Sequence, residues 1–555
     1  MSIPGSASPL LLASTAAAAG GYQVSRSLRF NSADSAYLSR TPAVAGNRQT
    51  YTFSFWVKRV DAPSINYILG TLPTIGNIEY IVGFNSSQQF YIEDYSSGIL
   101  FSLVSSAVFR DFSAWYHFLV AVDTTQATAA NRVKLYANGS QITQLATATY
   151  PTQNLNTGVW DTGSASAISA RGRTFASPAS NYLAEVFFID GQALTPSSFT
   201  EVSATTGQLI PKAYTGTFGT NGFWLKFSDN SAATAATLGN DYSGNNNDWT
   251  PNNLSVTAGA GNDSLVDTPT SYGTPDTGVG GEIRGNYCTL NPLNLKLTSV
   301  ANGNLDAVST ASTTTSAGIA GTIGVATGKW YWEITAGSSA DLIGIYEATS
   351  AVTGSPGEST GIGYFAGNGF IYPGSISYGS TYTAGDVIGI ALDLDNEKIW
   401  FSKNGTYQNS GSPTGGTNAA ATGLTGTYTP GVRSNNTSSS TTAICNFGQR
   451  AFAYTAPSGF KALCDTNIPE GTITTSGTYT GNGVADGPFV YLNGVPTAMT
   501  VGGNAVTFGT HADKLSNGFK LRTTSTTYNQ NALSYSYSIT ATGAKFKYAR
   551  AQPNP

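Results

Sequence analysis

The sequence predicts an all-β protein, built as tandem antiparallel β-sandwiches with a small C-terminal β region. Three observations lead to this fold class. Apolar residues alternate with polar ones at period two, as they do in strands, and helical periodicity is almost absent. Charged residues make up only 10% of the chain, against about 25% in an ordinary soluble domain. Glycine accounts for 63 of the 555 residues, which favours many short strands joined by turns.

The composition also excludes several classes of protein. A coiled coil would need Glu, Lys, Leu and Ala in bulk. With 27 Lys and Arg against 31 Asp and Glu, the net charge is −4, and we expect no nucleic-acid partner. A hydrophobic content of 40% and an aromatic content of 12% argue against disorder. No apolar stretch reaches the length that spans a membrane.

Residues 1–23 form a small, uncharged segment. The first basic residue is Arg26, so the positive region of a secretion signal is missing. Pro4 and Pro9 interrupt any helix that the apolar run could form. We interpret the segment as an extended peptide that docks into a partner, and the alternative is an unstructured tail. Its predicted apolar contacts are Ile3, Pro4, Leu10, Leu11 and Leu12.

Residues 24–200 contain four alternating segments, each with one apolar face. These segments are 52–58, 115–122, 132–136 and 182–189. The pair Asn138-Gly139 predicts a hairpin turn, and Thr195-Pro196 predicts a short helical turn. In this order, FSFWVKR, AWYHFLVAVD, VKLYANGS and YLAEVFFIDGQALTPSSF resemble a laminin-G or concanavalin-A-like jelly roll. The resemblance implies a β-sandwich and leaves its ligand open.

Residues 201–285 are predicted to be a β-containing connector and a linker rich in Gly, Thr and Asp. Sandwiches of the concanavalin type sometimes hold Ca²⁺ with loop oxygens. The loop 240–249 offers such donors, although it lacks the spacing of an EF-hand. Asx turns also form for backbone reasons alone, so both interpretations stay open. The candidate Ca²⁺ ligands are Asn240, Asp241, Asn245 and Asp248. No other cofactor is predicted.

Residues 286–465 form a second series of strands. In order, GKWYWEI, GIG, GDVIGIALDLD, IWFSKNG, YTPGV and NFGQ resemble a SPRY domain. The resemblance implies a second sandwich that acts as an interaction module without catalytic chemistry. Residues 466–555 carry further short strands at 489–492, 505–508 and 535–539, which predict a C-terminal β domain or a strand-adding tail.

Aromatic residues in the Gly/Ser/Asn-rich stretches of the SPRY-like region are the candidate ligand-binding set. In the SPRY family, loops at one edge of the sandwich form the ligand face. Aromatic rings beside hydroxyl and amide groups suit sugars, and they also suit protein partners. The alternative is that they cover the ends of the sandwich or pack on a neighbouring subunit. The set is Tyr364, Phe365, Phe370, Tyr372, Tyr378 and Tyr382.

Catalytic chemistry finds little support in the sequence. The two histidines, His117 and His511, have no accompanying nucleophile motif. Asp393 and Asp395 could form a glycosidase pair, but a hairpin turn explains them equally. We therefore predict that the chain is not an enzyme.

The three cysteines, Cys288, Cys445 and Cys464, form no zinc motif. Such a sparse, odd count favours folding in a reducing cytoplasm. Whether Cys445 and Cys464 pair stays open.

Nearly the whole chain, from MSIPGSASPLLLA through NYCTLNPL to NFGQRAFAYTAPSGFKALC, resembles virion proteins of tailed bacteriophages. The resemblance implies a tail fibre or receptor-binding protein, made in the host cytoplasm and located in the virion. Its N-terminus would bind other virion proteins, and its β domains would bind a host surface glycan or envelope protein. Homotrimers are expected from the resemblance. The alternatives are a capsid-attached head fibre or decoration protein and a glycan-degrading tailspike.

Overall fold

The computed structural model describes residues 21–540 apart from a set of short segments. Those segments are 61–64, 73–77, 173–174, 176–177, 204–208, 274, 297, 310–316, 349–351, 358–360, 435–439, 469–475, 493 and 497. The predicted docking residues Ile3, Pro4, Leu10, Leu11 and Leu12 lie outside the described residues.

The first sandwich contains strands that run from residue 27 to residue 265. They are β1 (Ser27–Phe30), β2 (Tyr37–Arg40), β3 (Thr50–Arg59), β4 (Asn66–Leu72), β5 (Ile78–Phe84), β6 (Gln89–Ser96), β7 (Ile99–Val108), β8 (Trp115–Asp123), β9 (Val133–Ala137), β10 (Ser140–Gln141), β11 (Leu145–Thr149), β12 (Ala165–Ile168), β13 (Asn181–Asp190), β14 (Thr200–Val202), β15 (Leu209–Pro211), β16 (Phe223–Leu225), β17 (Thr250–Asn252) and β18 (Ser264–Leu265).

These strands form two antiparallel sheets that face each other. Sheet 1 has the order β10-β9-β8-β3-β13-β1-β18, with β16 also paired to β13. Sheet 2 has the order β11-β7-β6-β5-β4-β12-β2-β17, and β14 and β15 form a separate hairpin. Alternate residues of the two sheets, such as Phe53, Phe118 and Ile92, meet in one buried core.

The second sandwich is also built from two sheets. Its strands are β19 (Leu290–Lys296), β20 (Ser299–Ala301), β21 (Asp306–Ser309), β22 (Gly318–Gly321), β23 (Lys329–Thr335), β24 (Leu342–Glu347), β25 (Ile362–Phe365), β26 (Phe370–Tyr372), β27 (Ile376–Ser377), β28 (Val387–Asp393), β29 (Lys398–Lys403), β30 (Thr406–Tyr407), β31 (Ala421–Thr422), β32 (Tyr428–Arg433), β33 (Thr441–Asn446) and β34 (Lys461–Ala462). Sheet 3 has the order β19-β22-β32-β24-β25-β26-β27. Sheet 4 has the order β20-β21-β33-β23-β28-β29-β30, with β31 on β29 and β34 parallel to β23.

A small third unit completes the described chain. Its strands are β35 (Ser476–Thr480), β36 (Phe489–Tyr491), β37 (Ala498–Val501), β38 (Asn504–Ala505), β39 (Ala512–Leu515), β40 (Gly518–Leu521) and β41 (Ser534–Thr540). They form the sheets β35-β41-β37-β38 and β36-β40-β39 around a core of its own. The strand predicted at 505–508 is shorter than expected, because β38 ends at Ala505 and the chain then turns.

Helical structure is confined to single turns. The one α-helix of the described residues, α1, spans Thr526–Asn529. The 3₁₀ turns are Ser32–Asp34, Ala129–Asn131, Pro196–Ser198, Gln408–Ser410 and Asp465–Asn467. The turn at Pro196 is the one that Thr195-Pro196 predicted. With strands throughout and so little helix, the predicted all-β fold class is confirmed.

The hairpin turns follow from local sequence. Asn138 and Gly139 both have positive φ angles, 47° and 80°, which is the type I′ geometry that Asn-Gly favours. Asn404 and Gly405 repeat it with 49° and 80°. The first turn joins β9 to β10 and the second joins β29 to β30.

The three units pack directly against one another. Trp56, Trp115 and Tyr182, on the outer face of sheet 1, belong to the same buried cluster as the core of the second sandwich. Between them, the ammonium of Lys58 lies 2.7 Å from a carboxylate oxygen of Asp267, and both side chains are fully buried. Arg110 of the first sandwich forms a bidentate ion pair with Asp513 of the third unit, at 2.5 and 2.7 Å.

The stretch predicted as a connector and linker is largely part of this packing. Strands β16, β17 and β18 extend the two sheets of the first sandwich. Asp263 forms a buried ion pair with Arg29, and Asp267 lies between the sandwiches. A stretch rich in Gly, Thr and Asp is typical of a flexible linker, but here Asp263 and Asp267 have buried cationic partners.

All three cysteines are buried free thiols, so Cys445 and Cys464 do not form the disulfide that the sequence left open. Burial raises the pKa of Cys288 to about 11.

Candidate functional site

The six candidate aromatic residues divide into two groups of three. Tyr364, Tyr378 and Tyr382 are buried in the core of the second sandwich, with exposed fractions of 0%, 7% and 2%. Phe365, Phe370 and Tyr372 are half-buried. Adjacent residues of a strand point to opposite faces of the sheet, which separates Tyr364 from Phe365.

The three buried tyrosines have hydrogen-bond partners within the domain. The hydroxyl of Tyr382 donates to the carbonyl oxygens of Tyr364 and Asp341, at 2.7 and 3.2 Å. The hydroxyl of Tyr364 donates to the carbonyl of Ser380. Burial raises the pKa of Tyr378 to about 12. These three residues of the predicted binding set are therefore core residues, and they do not offer a surface to a ligand.

The other three lie on the outer face of sheet 3, on what we call the edge ribbon, the strands β25, β26 and β27. Tyr372 pairs with Gly363 across the ribbon, and the rings of Phe365 and Tyr372 meet edge to face with centroids 6.0 Å apart. The guanidinium of Arg433 lies 5.6 Å from the ring of Phe365. Ile376 at the tip of the ribbon is 58% exposed, but it pairs with Ile371 and so lies on the opposite face from these three rings. The ribbon thus presents a partly apolar surface at the end of a sheet.

The loop with the candidate Ca²⁺ ligands is held by its own hydrogen bonds. The two carboxylate oxygens of Asp241 accept from the backbone of Trp224, Ser243 and Asn247 and from the hydroxyl of Ser243, at 2.7–2.9 Å. The backbone N–H of Asp241 donates to the carboxylate of Asp248 at 2.8 Å.

The remaining two candidate ligands are arranged differently. The amide of Asn245 donates to the carbonyls of Gly219 and Gly222, and Asn240 begins the loop. A Ca²⁺ ion at Asp241 would have to displace four protein donors. Among the described residues, no group of three or more His, Cys, Asp or Glu side chains is placed to hold a metal ion.

The histidines and the carboxylates with possible catalytic roles have structural partners. His117 is fully buried, 2.9 Å from the hydroxyl of Ser54, and burial lowers its pKa to about 3. His511 accepts a hydrogen bond from the backbone of Thr507 at 3.1 Å. Asp393 binds Lys329 at 2.9 Å, and Asp395 accepts from the backbone of Gly328 at 2.7 Å.

A pocket on the first sandwich was missed by sequence reasoning. It has a volume of about 240 Å³ and lies on the outer face of sheet 1, beside strands β8 and β9; we call it the β8–β9 pocket. Its lining comprises Ala121, Asp123, Gln126, Asn131, Lys134, Tyr136, Ala193, Leu194 and Thr195. The only sequence signal was the alternation of β9, which places Lys134 and Tyr136 on one face. The loop at 193–195 that forms the opposite wall is distant in sequence.

No helix of the described residues is long and apolar enough to cross a membrane.

Comparison with known proteins identifies two domains. Residues 31–196 match the family described as the Concanavalin A-like lectin/glucanases superfamily, and residues 329–444 match the SPRY domain family. The SPRY domain of human HERC1 is similar to 28% of this chain, over 96% of its own length, with 17% identity and a TM-score of 0.22. The native heptameric SAP-like pentraxin from Limulus polyphemus is similar to 32% of this chain, over 80% of its own length, with 13% identity and a TM-score of 0.25. No curated protein matches the sequence significantly. The chain thus contains a laminin-G-like (concanavalin-A-like) domain followed by a SPRY domain.

Proposed function

We propose that the chain is a non-catalytic structural protein of a bacteriophage virion, a tail fibre that attaches the particle to a glycan or an envelope protein of the host surface. The observation that supports this proposal is the aromatic surface of the edge ribbon. Phe365, Phe370 and Tyr372 share one half-buried face at the end of a sheet. Aromatic residues of this kind dominate the energetics of binding surfaces.

The packing of the three units supports a role in attachment. The buried pair Lys58–Asp267 and the bidentate pair Arg110–Asp513 join neighbouring units. A ligand bound at the ribbon would therefore pull on a continuous block of β-structure. Several copies of such a block on one particle would turn weak individual contacts into strong attachment through avidity. A homotrimer with its N-terminal segment in the virion is the arrangement we propose.

The first experiment locates the chain. Electron microscopy of phage particles labelled with an antibody against the second sandwich should show label at the tail tip. Label on the capsid would favour a head fibre or decoration protein instead, and absence of the chain from particles would overturn the virion role. Deletion of residues 1–22 should abolish incorporation. Incorporation of the truncated chain would contradict the proposed anchor.

The second experiment tests attachment. Purified full chain should bind intact host cells, and Phe365→Ser or Tyr372→Ser should weaken binding about tenfold, since loss of one central aromatic anchor costs more than about 1 kcal/mol. The matched control is Tyr95→Ser, a tyrosine of the first sandwich that is 36% exposed. Equal binding by all variants would exclude the ribbon as the attachment surface. Release of reducing ends from host polysaccharide would instead indicate the tailspike alternative.

A further inference from the structure

We propose that the β8–β9 pocket binds one acidic sugar residue, a hexuronate unit of a polysaccharide, with its carboxylate at Lys134 and its hydroxyl groups at Asp123 and Asn131. The ligand class rests on the proposed function in so far as it is a surface glycan. The site itself is separate from the edge ribbon, which lies on the other sandwich.

The polar groups of the pocket are available to a ligand. Lys134 has no hydrogen-bond or ion-pair partner within the part of the chain that the structure describes. The same holds, over the same residues, for the hydroxyl of Tyr136 and for the side-chain amide of Asn131. A lysine ammonium offers three donors in a compact charge, which suits a carboxylate. In a chain with so few charges, an unpaired cation inside a pocket indicates an anionic ligand.

Asp123 lies on the same face as Lys134, two residues along β8 from Ala121, the residue that pairs with Lys134. One carboxylate oxygen accepts from the backbone and hydroxyl of Thr125, at 3.1 and 2.6 Å, and the other from the amide of Gln126 at 2.6 Å. Partial burial is the largest single influence and raises the pKa of Asp123, but the hydrogen bonds together outweigh burial and lower this pKa. The carboxylate is therefore ionised at neutral pH, where it accepts hydrogen bonds from hydroxyl groups and repels a second anion. A ligand that bears both a carboxylate and hydroxyl groups can bind both side chains, with its carboxylate at Lys134 and a hydroxyl group at Asp123.

The wall and the size of the pocket suit a single sugar ring. Ala121, Leu194 and Thr195 provide an apolar side against which the C–H face of a pyranose can pack. The volume of about 240 Å³ is below the range of about 300–1,000 Å³ that holds drug-sized molecules.

The rim of the pocket is held in place before any ligand binds. The guanidinium of Arg132 donates to the carbonyls of Gln126, Ala127 and Pro151, each at 2.8 Å. These bonds fix the loop between β8 and β9, which carries Gln126 and Asn131. Preorganisation of this kind reduces the entropy lost on binding.

The test uses the full-length chain with galacturonate and glucuronate, as monomers and as trimers, and with galactose and glucose as neutral probes. Saturation-transfer NMR and calorimetry should show binding of the uronates and much weaker binding of the hexoses. Lys134→Gln should lower uronate affinity at least tenfold and remove its dependence on salt, whereas Lys134→Arg should keep most of it. Tyr136→Phe should cause a severalfold loss. Lys461→Gln, at an exposed lysine of the second sandwich, is the matched control.

Two outcomes would overturn the proposal. One is no detectable binding of any uronate by the native chain. The other is equal binding of uronates and neutral hexoses that Lys134→Gln leaves unchanged. Thermal unfolding of Lys134→Gln should match that of the native chain, which separates a lost contact from a lost fold. The attachment assay on cells reports on the edge ribbon, so either proposal can fail while the other stands.

Discussion

The outer faces of the two sandwiches differ in what covers them. On sheet 1, alternate residues of β3, including Thr52, Ser54 and Lys58, point away from the core, yet each is at most 1% exposed. Lys58 is covered by Asp267 and by the backbone of Tyr287, to whose carbonyl its ammonium donates at 2.8 Å. Thr52 is covered by the backbone at 192–194, with which it makes two hydrogen bonds of 2.7 Å. On sheet 3, the outward residues Phe365 and Tyr372 remain half-buried.

The difference shows that a polar pattern on a strand does not identify the exposed face. Ser54 and Lys58 look like the solvent side of β3, but they are buried among hydrogen-bond and ionic partners. Conversely, the apolar residues Phe365 and Tyr372 retain contact with solvent. Ligand binding in this chain is therefore expected where packing between units ends, at the edge ribbon and at the β8–β9 pocket.

The largest loss of stability is expected from substitution of Lys58, a buried charge on the outer face of sheet 1. Lys58→Met leaves the carboxylate of Asp267 buried without its cation and should cost about 3–5 kcal/mol of unfolding free energy. Urea unfolding followed by tryptophan fluorescence measures the loss. Lys461→Met, at an exposed position, should change stability by less than about 0.5 kcal/mol. A loss of under about 1 kcal/mol for Lys58→Met would mean that this face is not covered as described.

The next effect is a dependence of stability on pH that comes from Glu185. Glu185 lies on the covered face and accepts hydrogen bonds from Trp224 and Tyr22, at 2.8 and 3.1 Å. Burial raises its pKa from 4.5 to about 7. The folded chain therefore keeps a proton that the unfolded chain releases. The stability due to Glu185 is fully present below about pH 4.5 and is lost as the pH rises through 7, by about 3 kcal/mol at roughly 1.4 kcal/mol per unit.

Glu185→Gln should remove this part of the pH dependence. The variant should be more stable than the native chain at pH 8 and similar to it at pH 4.5, as measured by thermal unfolding across that range. Asp94 and Asp306, whose pKa values burial raises to about 6, contribute equally to both proteins and cancel in the comparison. Glu201→Gln, at an exposed glutamate, should leave the pH profile unchanged. If the stability of Glu185→Gln changed with pH in the same way as that of the native chain, Glu185 would not be buried against Trp224.

A smaller effect separates the two groups of aromatic residues in the second sandwich. Tyr382→Phe removes the donor to two buried carbonyls and should cost about 1–2 kcal/mol. Tyr372→Phe removes a hydroxyl on the half-buried ribbon and should change stability by less than about 0.5 kcal/mol. Equal losses in denaturant unfolding would contradict the division into core and surface.

The smallest effect is expected at the Asn/Asp loop. Because Asp241 already accepts four protein hydrogen bonds, millimolar Ca²⁺ should leave the melting temperature within about 1 °C of its value in a chelator. A rise of several degrees, reversed by the chelator, would instead establish the metal site that the composition of the loop suggested.

The local structure of this chain was predictable from the sequence. Period-two alternation located β3, β8, β9 and β13, and the pair Asn138-Gly139 located the type I′ turn after β9. The reason is physical: side-chain alternation and positive φ angles are properties of a few neighbouring residues. The order of these segments also supported the two domain families.

The sites were decided by tertiary structure. Tyr364 and Phe365 are neighbours in the sequence. Only the layer packed beneath sheet 3 makes Tyr364 a core residue and leaves Phe365 at the surface. The β8–β9 pocket joins Lys134 to Leu194, which are far apart in the chain. The stretch from 257 to 281 read as a linker, because nothing local shows that Asp263 and Asp267 have buried cations as partners. Burial depends on contacts between distant segments, so sequence alone determined the strands and turns, and folding decided which faces remained open to bind.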